Sequence, residues 1–176
     1  MRYLEVRRHA MRTRPGQHLS QAGVELAHRV GRALPPFNLV IASTALRAVE
    51  TAEAMGLRVD EKIEQLSTLD PGVEAEVAWD AGFAAFAQAM RRGGATARFG
   101  IMQAALWRSI ALRLPDGGRA LILTHGGIIE AGAVACLPQA DHAAWGPACG
   151  YLEGVRLAFD GENFVDAEIL RVAQPG

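Results

Sequence analysis

The chain has 176 residues, half of them hydrophobic, and a formal net charge of −1. That length and composition fit one domain over residues 1–176 whose core needs neither disulfides nor metal. The balanced charge excludes a global electrostatic pull toward nucleic acid or acidic membranes, so any anion binding must be local.

Seventeen of the basic residues are arginine and only Lys62 is lysine, a bias that fits a GC-rich bacterial genome. Cys136 and Cys149 lack C-x-x-C spacing and a disulfide-rich setting, which predicts reduced, buried thiols. The chain opens on a strand pattern with no long apolar segment, so a soluble cytoplasmic protein is expected.

In chain order, Tyr3 to Arg8 alternates as a strand and presents Arg8 and His9 before a basic turn and Pro15-Gly16. Ser20 is a helix N-cap, and Ala22, Leu26, Ala27, Val30 and Leu34 recur at helical spacing until Pro35-Pro36. Leu39 to Ala42 reads as a second strand ending at Ser43-Thr44, followed by a helix through about Met55 that Gly56 closes. Leu57 to Val59 is a candidate third strand. Between Asp60 and Gly100 lie Pro71-Gly72, an acidic patch from Glu74 to Asp80 and a helical run from Phe83 to Met90. Ala95 to Leu114 has helical periodicity and ends at Pro115-Asp116-Gly117-Gly118. The clearest buried strand, Ala120 to Thr124, runs directly into His125-Gly126-Gly127 and an apolar helix to about Leu137. The last thirty residues read as a hairpin turning at Asp160-Gly161-Glu162-Asn163.

Strands alternating with helices predict parallel pairing through helical crossovers. In such sheets ligands bind at the carboxyl ends of the strands, where Arg8-His9, Ser43 with Arg47, and His125 all fall. Two guanidiniums and two imidazoles around one point suit a dianionic oxyanion, and phosphate is the expected ligand. An imidazole with an ordinary pKa near 6.5 is largely neutral at pH 7 and can attack phosphorus, which makes His9 the candidate nucleophile.

These residues resemble the histidine phosphatase superfamily, also called phosphoglycerate mutase-like. Its R-H-G resembles Arg8-His9-Ala10, its L-T-x-x-G helix entry Leu19-Ser20-Gln21-Ala22-Gly23, and its later H-G Thr124-His125-Gly126-Gly127. Its S-x-L-x-R-A-x-x-T-A is matched by Ser43, Leu46, Arg47, Ala48, Thr51 and Ala52. The resemblance implies a short bacterial member with a three-layer α/β/α fold, a mostly parallel central sheet and no cofactor or metal. It implies hydrolysis of a phosphomonoester or phosphohistidine through a phosphohistidine at His9, with Arg8, Arg47, His125 and Gly126 binding the phosphoryl group. A small phosphorylated substrate or a phosphoprotein is the expected partner, with no nucleic acid and no membrane.

The chain departs from that pattern in places. Ala10 replaces a glycine, and Arg12 and Pro15 stand where the family keeps Thr and Asn, so Arg12, or alternatively Arg14, is a candidate phosphate contact. Thr68 occupies the place of the glutamate that protonates the leaving group, which leaves Asp70 as the candidate acid and Glu74 and Glu76 behind it. A mutase-type phosphotransferase shares the same intermediate. A non-catalytic phospho-ligand module is the alternative from another class, and hydrolysis dependent on His9 separates it from an enzyme.

His18, His28 and His142 have no metal-ligand spacing, no G-x-x-x-x-G-K loop occurs, and no Cys-x5-Arg follows either cysteine. Trp79, Trp107 and Trp145 are expected in the core or at its rim.

Overall fold

The computed structural model describes residues 1–174. A six-stranded sheet has the order β3-β2-β4-β1-β5-β6, built from β1 (Arg2–Arg8), β2 (Leu39–Ser43), β3 (Glu61–Ile63), β4 (Arg119–Thr124), β5 (Gly154–Phe159) and β6 (Phe164–Leu170). The first four strands in that order are parallel, while β5 pairs antiparallel with β1 and β6 with β5. Helices cover both faces, giving three layers. The third strand lies at 61–63 rather than at Leu57 to Val59, which precedes it without regular structure. Leu57 and Val59 instead pack on the core side chains of the first two helices.

Alternation along the strands sorts the core. Val40 and Ala42 of β2 and Leu121 and Leu123 of β4 meet α1 (Gln21–Gly31) and α2 (Leu46–Ala54) on one face. Leu4, Val6, Ile41 and Ile122 point to the other face. There they meet α3 (Pro71–Glu76), α4 (Phe83–Arg91), α5 (Ala95–Leu112) and α6 (Ile128–Cys136). Burial of both faces is why these strands read as nearly continuous apolar runs.

The helix starts follow their sequence signals. Ser20 accepts from Gly23 N–H at 3.1 Å to open α1. Asp70 opens α3, accepting from Gly72 N–H at 2.7 Å with Pro71 in the first turn. Glu76 supplies the start of α5, which lacks a capping side chain of its own, by accepting from Ala95 N–H and Thr96 N–H at 2.7 and 2.9 Å.

Two charged residues, Glu5 and Arg7, are buried within β1. Glu5, 1% exposed, faces the α1/α2 side and accepts from Arg156 Nε and Nη2 at 2.9 and 2.8 Å and from Arg7 Nε at 3.1 Å. A buried carboxylate is tolerable when paired and hydrogen-bonded on this scale. Among the described residues, no helix is long and apolar enough to cross a membrane.

Candidate active site

β1, β2 and β4 end side by side, and each delivers a functional group within one to four residues of its last strand position. His9 N–H donates to the Thr124 carbonyl at 2.9 Å, which aligns the ends of β1 and β4. Thr51 then joins α2 to the same point. Its hydroxyl accepts from Ala10 N–H at 2.9 Å and donates to the Arg47 carbonyl at 2.6 Å. Ala48 and Ala52 are fully buried beside it, as is Ala10, whose methyl lies in the α1/α2 core. The alanine in place of glycine therefore fills core space instead of obstructing the site.

The four convergent side chains form a linked arc. Arg47 Nε donates to His9 Nε2 at 3.2 Å and Arg47 Nη2 to His125 Nδ1 at 3.1 Å, while the two imidazole centroids lie 5.1 Å apart. Arg8 joins through Tyr151, whose ring lies 5.9 Å from His9 and 4.3 Å from the Arg8 guanidinium carbon. Arg8 Nη1 donates to the Cys149 carbonyl at 3.2 Å, and Arg8 Nε is buried with no partner.

Because arginine only donates, the contacts fix both tautomers. His9 Nδ1 lies 2.7 Å from the Ala10 carbonyl and must carry its proton, so Nε2 presents a lone pair. His125 Nδ1 likewise accepts, which places the proton on Nε2, 2.8 Å from Ser43 Oγ. Burial lowers both imidazoles from 6.5 to about 3; the neighbouring guanidiniums add to it at His9 against the Ala10 hydrogen bond that favours its charged form, and at His125 the His9 ring adds to it ahead of Arg47 and Arg8. Both rings are neutral at pH 7. Burial also lowers Arg8 and Arg47; the Arg12 and Arg8 guanidiniums lower Arg47 further, and that of Arg14 lowers Arg8.

Among the described residues, Arg8, Arg12, Arg14 and Arg47, all around the site, take part in none of the ion pairs. Guanidiniums gathered without a carboxylate form a site of positive potential matched to an anion.

Arg12 stands at the rim, half-buried, with Nη1 donating to the Gly16 carbonyl at 2.7 Å. Its charge adds to the field on His9 and Arg47. The loop it begins touches the arc through Gln17, which accepts from Arg47 Nη1 at 2.8 Å. Gly126 forms the turn into α6, where a Cβ would come within 2.9 Å of the Trp79 ring.

Two of the three acidic candidates hold structural posts. Asp70 is the exposed N-cap of α3, and the shallow pocket it borders is otherwise lined by Gln65, Thr68, Leu69, Pro71, Phe99, Met102 and Gln103, none of them in the arc. Glu76 is committed to the start of α5. Glu74 is exposed in the first turn of α3.

Three contributors escape sequence reasoning. Trp79 and Tyr151 lie on irregular segments without periodicity. Glu130 had a signal, a lone acid in the apolar run I-I-E-A-G-A-V-A. Fully buried, it accepts from Gly127 N–H at 2.6 Å and Cys149 N–H at 2.8 Å, tying the His125 turn to the loop whose carbonyl holds Arg8. Burial raises its pKa.

The depressed imidazoles make stability depend on pH. An unfolded chain protonates His9 and His125 as pH falls through 6.5, whereas the folded protein resists until about 3. Stability from these two groups is therefore complete above pH 6.5 and lost progressively as pH falls toward 3. Urea unfolding at pH 7 and pH 4.5 measures the loss, and the His9→Gln, His125→Gln double variant should flatten it; an equally steep profile in that variant would assign the loss to other groups.

The architecture, a three-layer α/β/α sandwich around a mostly parallel sheet, is shared with solved structures. Phosphoserine phosphatase from Entamoeba histolytica, crystallised with 3-phosphoglyceric acid, superposes with a TM-score of 0.74 at 16% identity, covering 99% of each chain. A mycobacterial glucosyl-3-phosphoglycerate phosphatase does so with a TM-score of 0.65 at 22% identity, over 96% of this chain and 97% of its own. An open reading frame product of Mycobacterium tuberculosis gives 0.66 at 20% identity, over 96% of each chain. No protein-family model matches the sequence, and no curated protein does.

Proposed function

We propose that the chain, as one domain, is a metal-independent phosphatase that hydrolyses a phosphomonoester or phosphohistidine through a phosphohistidine at His9. The observation that carries this reading is the lone pair of His9 Nε2, which faces Arg47 beside Arg8 and His125 with no acidic side chain paired to either arginine. Phosphatases on this fold include enzymes whose names specify phosphoserine and glucosyl-3-phosphoglycerate, both small phosphorylated molecules. Two free thiols and an arginine-rich composition fit a bacterial cytoplasm.

In this reading an incoming phosphoryl group displaces the Arg47–His9 contact. Arg8 and Arg47 take its non-bridging oxygens, with Gly126 at the start of α6 and Arg12 adding positive field. His9 Nε2 attacks in line, a P–N bond forms as the P–O or P–N bond to the leaving group breaks, and the leaving group takes a proton from solvent water as it departs. Water then attacks the phosphohistidine, releasing phosphate and restoring the Nε2 lone pair. Donation from His125 to the phosphoryl oxygens needs a proton on Nδ1, which a dianion alongside favours.

Acid-labile, base-stable label from a labelled substrate, trapped by rapid quench and mapped to His9, tests the reading. Label on another residue, or product burst with no label, overturns it. The capping role of Asp70 gives a further expectation. Asp70→Asn keeps the capping oxygen and should change hydrolysis of aryl and alkyl phosphates by less than about threefold; a loss of about 10²-fold confined to alkyl phosphates would make Asp70 the proton donor.

A further inference from the structure

We propose that Trp79 and Tyr151 form an aromatic clamp that positions Arg8 for an anion, with Trp79 as a positioning residue outside every strand-end motif. The consequence for binding rests on the phosphate-site reading above; the clamp itself does not. The Arg8 guanidinium carbon lies 4.3 Å from the Tyr151 ring centroid and 5.0 Å from that of Trp79, both within the range of cation–π attraction. Arginines of this protein that are buried or half-buried elsewhere in the sheet are held differently: Arg7 and Arg156 by the Glu5 carboxylate, at 3.1 and 2.8 Å. A carboxylate neutralises its partner and occupies the donors along the guanidinium edge. Aromatic rings attract the cation without doing either. Arg8 accordingly keeps its charge and a buried, unpartnered Nε–H, with Nη1 alone spent on the Cys149 carbonyl.

Trp79 also fixes the spacing between two motifs. Its ring rests where a Cβ of Gly126 would come within 2.9 Å, so the residue after His125 must be glycine for the indole to lie there. The same indole touches the residue before His9 and the residue after His125. Leu69 backs the arrangement at Gly127, where a Cβ would meet its side chain at 2.9 Å and the Trp79 Cβ at 3.3 Å. Trp79 remains 40% exposed, unlike fully buried Trp107, which places it at the mouth of the site rather than in the core.

The test reads Arg8 directly and then the anion. In the nitrogen–proton spectrum of the free protein, the Arg8 Nε–H signal, assigned by its loss in Arg8→Lys, should be displaced by the ring currents and should shift in Trp79→Ala. Calorimetry with inorganic phosphate should show Kd raised roughly tenfold in Trp79→Ala and less than threefold in Trp79→Phe, which keeps a ring. The loss in kcat/KM should fall mainly on KM. Tyr151→Leu serves as the second variant if Trp79→Ala does not fold, with the same directions expected. A folded Trp79→Ala protein with unchanged Nε–H shift and unchanged phosphate affinity overturns the clamp. A wild-type protein that binds no phosphate overturns the functional reading instead, and the Nε–H shift alone then decides the clamp.

Discussion

Replacing His9 by alanine should lower hydrolysis of an aryl phosphate by roughly 10⁴-fold or more, because no other group can take over the covalent step. The expected loss falls on kcat as well as kcat/KM, and the acid-labile enzyme-bound phosphoryl group disappears with it. The fold should survive. His9 donates through Nδ1 to its own neighbour's carbonyl, and the strand-end alignment is made by its backbone N–H, which alanine retains. Phosphate affinity should fall little, since Arg8, Arg47 and His125 remain. Activity that persists in His9→Ala would mean direct attack by water on a phosphate held by the arginines. Phosphate binding with no activity in the wild-type protein would identify a binding module.

Arg47→Ala carries the second large effect. Its guanidinium reaches His9, His125 and Gln17 with separate nitrogens, at 3.2, 3.1 and 2.8 Å. Loss of a desolvated charged donor to the transition state should cost about 10²–10³-fold in kcat. Lysine should recover only part of it, because an ammonium cannot span three partners with a planar fork. The pH profile should move in a definite direction. Arg47 is among the charges that depress His9, so its removal raises the imidazole toward 6.5 and shifts the acid limb of kcat/KM to higher pH. Stability should not suffer: burial opposes the Arg47 charge, and two other guanidiniums repel it. A thermal midpoint unchanged or raised by about 2–4 °C is expected. A large drop in the midpoint together with the lost activity would recast Arg47 as a structural residue.

The convergence of Arg8, His9, Arg47 and His125 was legible because each follows a strand in a parallel sheet, and topology brings such ends together whatever their separation in sequence. The spacing of Ser43, Ala48, Thr51 and Ala52 was legible for a reason the structure supplies: one hydrogen-bonds His125, one joins Ala10 to α2, and two pack flat in the core. The short helix α3 was hidden by Pro71-Gly72, which reads as a turn although Asp70-Pro71 is also a helix start. β3 has only three residues, of which none is fully buried, and so lacks an apolar signature. Trp79 and Tyr151 act through long-range packing on irregular segments, and no local pattern encodes that.

Glu5 has a consequence for assembly of the sheet. In a strand, sliding by one position exchanges the two faces, so a slipped β1 would turn this carboxylate into the apolar layer around Leu4 and Val6 and leave Arg156 facing a leucine or valine. A strand of leucine and valine alone would tolerate that error at small cost. The acid makes a wrong alignment of β1 separate a buried carboxylate from Arg156, leaving it only Arg7 of its own strand. A residue remote from the reacting atoms thereby guards the alignment that brings Arg8 and His9 to the rim of the sheet at the right height.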